Sequence, residues 1–367
     1  MTFENLFDLF GEGGTVSLSG LVIGLAFGAL AQRSRFCMRA AVVEFFRSGP
    51  GPKTAVWVLA FGAAIVGTQA LITTGLLDVS KARQLTGQGS LSGAVIGGLM
   101  FGSGMVLARG CSSRILILAA TGNLRALVTG LILTIIAQSS LRGILSPFRN
   151  WIANLWTADG EAARNLSYIL DLSDNTPLIF GALLFVVALM LAFRLKISRW
   201  VIVGTSGVGL VIAAGWLLTY NISYQSFTPV AVKSVSFIGP SADTLMGLIN
   251  HTSLPLVFEL GLVPGVFAGS LLASLIGRDF QIQCFSIEQN PMPRYVIGAV
   301  LMGFGGMLAG GCAVGAVMTG GSVFSLTAWV AFIAMWIGGG LTDRLVDRRQ
   351  KITAEPSFAA ADSVSVR

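Results

Sequence analysis

Long apolar runs recur from one end of this chain to the other, and they limit the fold more than any other feature. About 20 apolar residues cross the hydrocarbon of a bilayer as a helix. Backbone in hydrocarbon must pair every N–H and C=O internally, which restricts what can span it. Nine runs qualify, at roughly 16–32, 54–76, 89–108, 124–145, 177–194, 200–220, 256–277, 293–309 and 325–342. The chain therefore reads as an all-α integral membrane protein of about nine transmembrane helices. A mean hydropathy of +0.78 agrees. No basic region precedes the first run, so no cleavable signal peptide is expected. Phe3, Leu6, Phe7 and Phe10 fit a short helix on the membrane surface. Residues 343–367 are expected to form a disordered cytoplasmic tail, polar and rich in small residues from about Ile352 to Arg367.

Two Gly-dense segments are near copies. Gly97 to Cys111 reads GGLMFGSGMVLARGC, and Gly298 to Cys312 reads GAVLMGFGGMLAGGC. At this offset of 201, seven of the fifteen positions are identical, including both cysteines. Each cysteine opens an apolar stretch too short and broken to cross: CSSRILILAATGN and CAVGAVMTGGS. Both read as re-entrant half-helices, which are tolerated at membrane depth where protein or a water-filled cavity surrounds them.

Parity organises the rest. Residues 1–145 hold spans 1–4, residues 146–199 an outer loop and the linking span 5, and residues 200–342 spans 6–9. One linking span inverts the second unit, giving an inverted repeat of 4+1+4 spans with its site near the midplane. GLVI occurs at Gly20 to Ile23 and again at Gly209 to Ile212. That offset of 189 sets Cys37 against Ser226 and predicts two more half-helices, near 36–46 and 226–250. Basic residues set the orientation. With the N-terminus outside and the C-terminus in the cytoplasm, seventeen Lys and Arg fall inside and six outside.

Chemistry concentrates at Cys111 and Cys312. Each follows a glycine, Gly110 or Gly311, and begins a short helix. Helix starts present unpaired N–H groups and the positive dipole end, a ready site for anions. A thiol adds a weak S–H donor suited to a soft, sulfur-bearing anion. Cys37 lies among Arg33, Arg35 and Arg39. Cys284 has no repeat partner and reads as structural or incidental. Arg109 has glycine as its counterpart, so the halves differ electrically; with Arg114 it would draw an anion toward the inner exit, and Lys233 would do so outside. Glu44 and Glu259 are partners for arginines or members of a proton path. Trp151 and Trp156 fit an interfacial belt. With one histidine, His251, and no CxxC, neither a metal site nor a cofactor is expected. The net charge of +7 reflects topology, and no nucleic-acid partner is needed.

Around its cysteines the chain resembles the YeeE/YedE family of bacterial inner-membrane proteins. RSRFCMRAA, LARGCSSR and LAGGCAVGAVMTGG carry the resemblance, which extends over nearly all of residues 16–342. It implies an hourglass-like helical bundle with inverted pseudo-two-fold symmetry and short pore-loop helices. It implies that Cys37, Cys111 and Cys312 line a constriction and pass thiosulfate between thiols by hydrogen bonding. A TusA-like cytoplasmic sulfur carrier is an implied partner. Some relatives handle other sulfur or selenium compounds.

The sequence thus points to uptake of thiosulfate, or a closely related sulfur-containing anion, at a site including Cys37, Cys111, Cys312, Ser226, Gly110, Gly311 and Arg109. A transporter rather than an enzyme is expected. No GxxxxGK[ST] occurs, so ATP drive within the chain is not expected. The alternatives are a membrane sulfurtransferase or thiol–disulfide enzyme, a carrier of another sulfur or selenium compound, and a passive channel or scaffold.

Overall fold

The apolar runs become helices because lipid leaves their backbones no other partners. The structure, a computed structural model, describes residues 4–80, 82, 84–85, 89–158, 164–171, 173, 175–227, 229–250, 256–283 and 292–347. Phe3, Lys81, Arg83, His251, Cys284 and the tail beyond residue 347 lie outside the described residues. In chain order the helices are α1 (Glu4–Ser34), α2 (Met38–Ser48), α3 (Pro52–Thr73), α4 (Leu91–Leu107), α5 (Ser112–Ala120), α6 (Leu124–Arg142), α7 (Ser146–Ala153) and α8 (Leu166–Ile169). They continue as α9 (Thr176–Arg194), α10 (Arg199–Gln225), α11 (Ile238–Asn250), α12 (Phe258–Gly277), α13 (Met292–Leu308), a π-helix (Ala313–Thr319), α14 (Gly320–Ser322) and α15 (Leu326–Thr342). Among the described residues, nine stretches are long and apolar enough to cross a membrane. Each overlaps one of the nine expected spans.

Local chemistry sets the ends. Ser90 caps α4 by accepting from the Gly93 N–H at 2.8 Å, and Asn123 caps α6 through the Ala126 N–H at 3.1 Å. Proline stands in the first turn of α3, α7 and α9, where its missing N–H has no helical partner to lose. Helices α4 and α13 close with the same wrap. Gly110 N–H bonds Met105 O at 3.0 Å, and Gly311 N–H bonds Gly306 O at 2.8 Å. The residue that turns left-handed is Arg109 (φ 56°) in one and Gly310 (φ 82°) in the other.

Glycine lets the helix backbones touch. Gly20, Gly24 and Gly28 of α1 lie against Gly261, Gly265 and Gly269 of α12, and the two helices run parallel. A Cβ on Gly24 would meet Leu262 O at 2.4 Å, and one on Gly265 would meet Leu21 O at 2.5 Å. Helices α4 and α13 cross antiparallel, with a Cβ on Gly97 falling 2.5 Å from Gly305 O and one on Gly104 falling 2.7 Å from Gly298 O. Adding 201 to Gly97 and subtracting 201 from Gly305 generates the second pair with its partners exchanged. The same exchange relates Gly102 against Met335 O (α4 on α15) to Gly303 against Leu133 O (α13 on α6). At the other offset, 189, Gly20 on α12 has its counterpart in Gly209 on α3, where a Cβ would meet Ala60 O at 2.3 Å.

Three expectations need adjustment. The N-terminal stretch is helical but breaks from the first span at Gly11 (φ 69°, ψ 170°), with Leu9 and Phe10 exposed. The tail counted from 343 starts too early. Asp343–Asp347 continue as a π-helical turn, and the buried Asp343 accepts Arg47 Nε at 2.8 Å and Arg47 Nη2 at 2.5 Å. The outer loop carries secondary structure of its own. Strand β1 (Gly89–Ser90) pairs antiparallel with β2 (Thr157–Ala158), and Arg164 donates to Gln84 O at 2.8 Å. Burial lowers the Arg164 guanidinium pKa from its usual value. Trp151 and Trp156 are exposed.

Candidate functional site

Each of the three cysteines assigned to the site stands at the residue before a short helix. Cys37 precedes α2, Cys111 precedes α5 and Cys312 precedes the π-helix. All three backbones are extended, the N-cap conformation that turns the next N–H groups outward. The cysteines are free, buried and part of one contiguous core cluster. Cys111 and Cys312 have no solvent exposure, and Cys37 has 9%.

The structure brings Cys37 and Cys111 together. The two thiols lie within each other's electrostatic reach, and Cys111 Sγ lies 3.3 Å from Ser113 Oγ. The two half-helices α2 and α5 thus meet start to start, although 74 residues separate the cysteines in sequence. Cys312 has a different first partner: its Sγ accepts the Gly315 N–H at 3.3 Å. Gly110 and Gly311 are buried in the turns just before their cysteines.

Arg109 is half-buried and lies in the electrostatic neighbourhood of Arg39, Arg294, Asp347 and Tyr295. This is a constructed ionic cluster. Arg294 donates to Leu107 O at 3.1 Å and to Asp347 Oδ1 at 2.5 Å, and Asp347 also lies 3.7 Å from both Arg39 and Arg47. The cluster ties α2, α13 and the end of α15 together beside the Cys37–Cys111 pair. Arg114 reaches Gln32 Oε1 at 3.4 Å.

Ser226 is not brought to the thiols. It caps the end of α10 and donates to Glu12 Oε2 at 2.6 Å. The offset of 189 holds for α1 and α10 but fails beyond them. Three residues join α1 to α2, whereas twelve join α10 to α11. The half-helix expected near 226–250 accordingly begins at Ile238, and Phe237 takes the place before it that Cys37 has before α2. The carboxylates have structural partners. Glu44 Oε2 accepts the Thr54 N–H at 2.8 Å at the start of α3, and Glu259 pairs with Lys233.

Sequence reading passed over Ser236. Its hydroxyl oxygen lies 2.2 Å from where a Cβ on Gly315 would stand. Gly315 is glycine in LAGGCAVGAVMTGG where the other half has Arg114, and that difference was the available signal.

Comparison with known proteins places this geometry. Residues 33–341 match the family Sulf_transp, described as sulphur transport. The chain is 27% identical over 352 residues to the thiosulfate transporter TsuA of Spirochaeta thermophila, covering 90% of this chain and 99% of that one. It is 26% identical over 368 residues to the thiosulfate transporter TsuA of Escherichia coli, covering 94% and 99%. A probable transporter of Escherichia coli, YedE, is 29% identical over 174 residues, covering 42% of this chain and 43% of that one.

Proposed function

The chain belongs to the Sulf_transp family of sulphur-transport proteins, and from that premise we propose that it takes up thiosulfate, or a closely related sulfur-containing anion, across the bacterial inner membrane. One observation carries the reading: three buried, free thiols each stand at the start of a short helix inside one core. Helix starts offer N–H groups and a positive potential to an anion. The thiols add donors that a sulfur-bearing ion can use without forming a covalent bond. Cys37 and Cys111 would hold the ion together, Cys312 would hold it on the other side of the constriction, and Gly110 and Gly311 would shape the two turns. Arg109 would attract the ion near the inner end.

The antiparallel crossing of α4 and α13 supports division into two inverted units, residues 1–145 and 200–342, joined through 146–199. It sets the Cys111 and Cys312 turns at opposite ends of that helix pair. The excess of basic residues on one side supports an external N-terminus and a cytoplasmic C-terminus. A dianion entering against an inside-negative potential costs about 4.6 kcal/mol per 100 mV, at about 2.3 kcal/mol per charge. Net uptake therefore needs a coupled ion or rapid consumption inside, the role a TusA-like carrier would fill.

Radiolabelled thiosulfate uptake into proteoliposomes, with sulfate and selenite as competitors, tests the proposal. Cys111→Ala and Cys312→Ala should each abolish uptake; full activity in either variant would end the thiol relay.

The adjacency of Cys37 and Cys111 favours one second reading, a membrane sulfurtransferase. There a thiolate would attack the terminal sulfur of thiosulfate, form a persulfide and release sulfite. Intact-protein mass spectrometry after incubation with thiosulfate separates the two. An added sulfur on Cys37 or Cys111 identifies the enzyme, and uptake without an adduct identifies the transporter.

A further inference from the structure

The two halves present different groups beside their deep cysteines. In the first half Cys111 has Cys37 as its neighbour, at the residue before α2. In the second half Phe237 holds the corresponding place before α11, and it turns into the core against Phe27 with ring centroids 5.1 Å apart. It offers the Cys312 turn no donor. The preceding residue does. Ser236 lies so close to Gly315 that a Cβ there would stand 2.2 Å from its hydroxyl oxygen and 2.6 Å from its own Cβ. Gly315 is the residue whose N–H donates to Cys312 Sγ.

The backbone around Ser236 is fixed on both sides of the site. Thr319, on the π-helix that Cys312 begins, donates to Val235 O at 2.7 Å. Ser234 donates to Ile212 O at 2.6 Å, Thr219 donates to Lys233 O at 2.6 Å, and Lys233 pairs with Glu259. Ser236 itself is half-buried, and among the described residues its hydroxyl makes no hydrogen bond. A half-buried donor held in place without a partner is preorganised for a ligand.

We propose that the Ser236 hydroxyl is a fourth hydrogen-bonding group on the anion path, paired with Cys312 as Cys37 is paired with Cys111. The inference rests on the thiosulfate reading and deepens it. A hydroxyl is a stronger donor than a thiol and suits the oxygen end of the ion. The thiol pair suits the terminal sulfur. Together they would read both ends of a sulfur oxyanion and so favour it over sulfide, which has no oxygen.

The test is uptake kinetics in proteoliposomes. Ser236→Ala removes the hydroxyl and adds no volume, and it should raise the KM for thiosulfate about tenfold while the melting temperature holds. Ser236→Cys restores a donor of the kind used in the other half and should recover most of that loss. Thiosulfate protection of Cys312 from alkylation by a maleimide, scored on folded protein alone, gives a binding readout that does not depend on turnover. It should weaken in Ser236→Ala. A wild type that transports thiosulfate beside a Ser236→Ala variant with unchanged KM and unchanged protection overturns this proposal alone. A wild type that neither transports nor is protected by thiosulfate overturns the parent reading as well.

Discussion

Arg109 separates two roles that usually travel together, backbone shape and charge. It adopts a left-handed conformation that costs an L-residue about 1–2 kcal/mol, and its counterpart is Gly310. The strain buys a guanidinium at the end of α4. Arg109→Gly keeps the turn that the other half already makes with glycine. We expect the variant to be more stable by about 1 kcal/mol, read as a higher melting temperature, and to take up thiosulfate more slowly. Equal uptake would show that the Arg109 charge has no part in drawing the anion. Much of this was legible beforehand, because the Arg/Gly difference is visible as soon as the repeats are aligned. Ser236 was not, because its importance depends on contact with Gly315, 79 residues away.

Between elements, glycine decides how near helices come. Along α1 and α12 a four-residue spacing of glycines keeps one face of each helix bare. Without a hydrophobic drive inside lipid, such close contact and its dispersion energy hold helices together. Gly24→Leu forces a side chain into Leu262 O and should destabilise the bundle by about 3 kcal/mol or prevent assembly. Size-exclusion chromatography and thermal unfolding in detergent would report it. Gly239→Ala is the control, since nothing lies closer than 4.0 Å to a Cβ there, and it should elute and melt as wild type. The nine spans were readable because twenty-residue apolar runs are a local property. The register of Ser226 was misread because a twelve-residue connection after α10 is invisible to an alignment that carries no gap.

For the molecule as a whole, the relation between α4 and α13 means that the two cysteine turns approach the core from opposite ends. Single-cysteine variants and a membrane-impermeant maleimide test that arrangement in oriented vesicles. Cys312, buried in this state, should label slowly and only from the outside as the protein opens, and Cys37 from the cytoplasmic side, each more slowly with thiosulfate present. Labelling of both from one side would contradict the inverted arrangement and the assigned orientation. The ionic cluster of Arg39, Arg47, Arg294, Asp343 and Asp347 lies at the end beside Cys37. Composition showed the basic residues but not which carboxylates would meet them.

Hydropathy and glycine spacing, both carried by neighbouring residues, were enough to determine the membrane class, the spans and the duplicated cysteine turns. Which thiol lies near which, and which hydroxyl stands against Gly315, was settled by packing alone. Those contacts join segments more than seventy residues apart, and their geometry depends on how closely bare helix faces can approach.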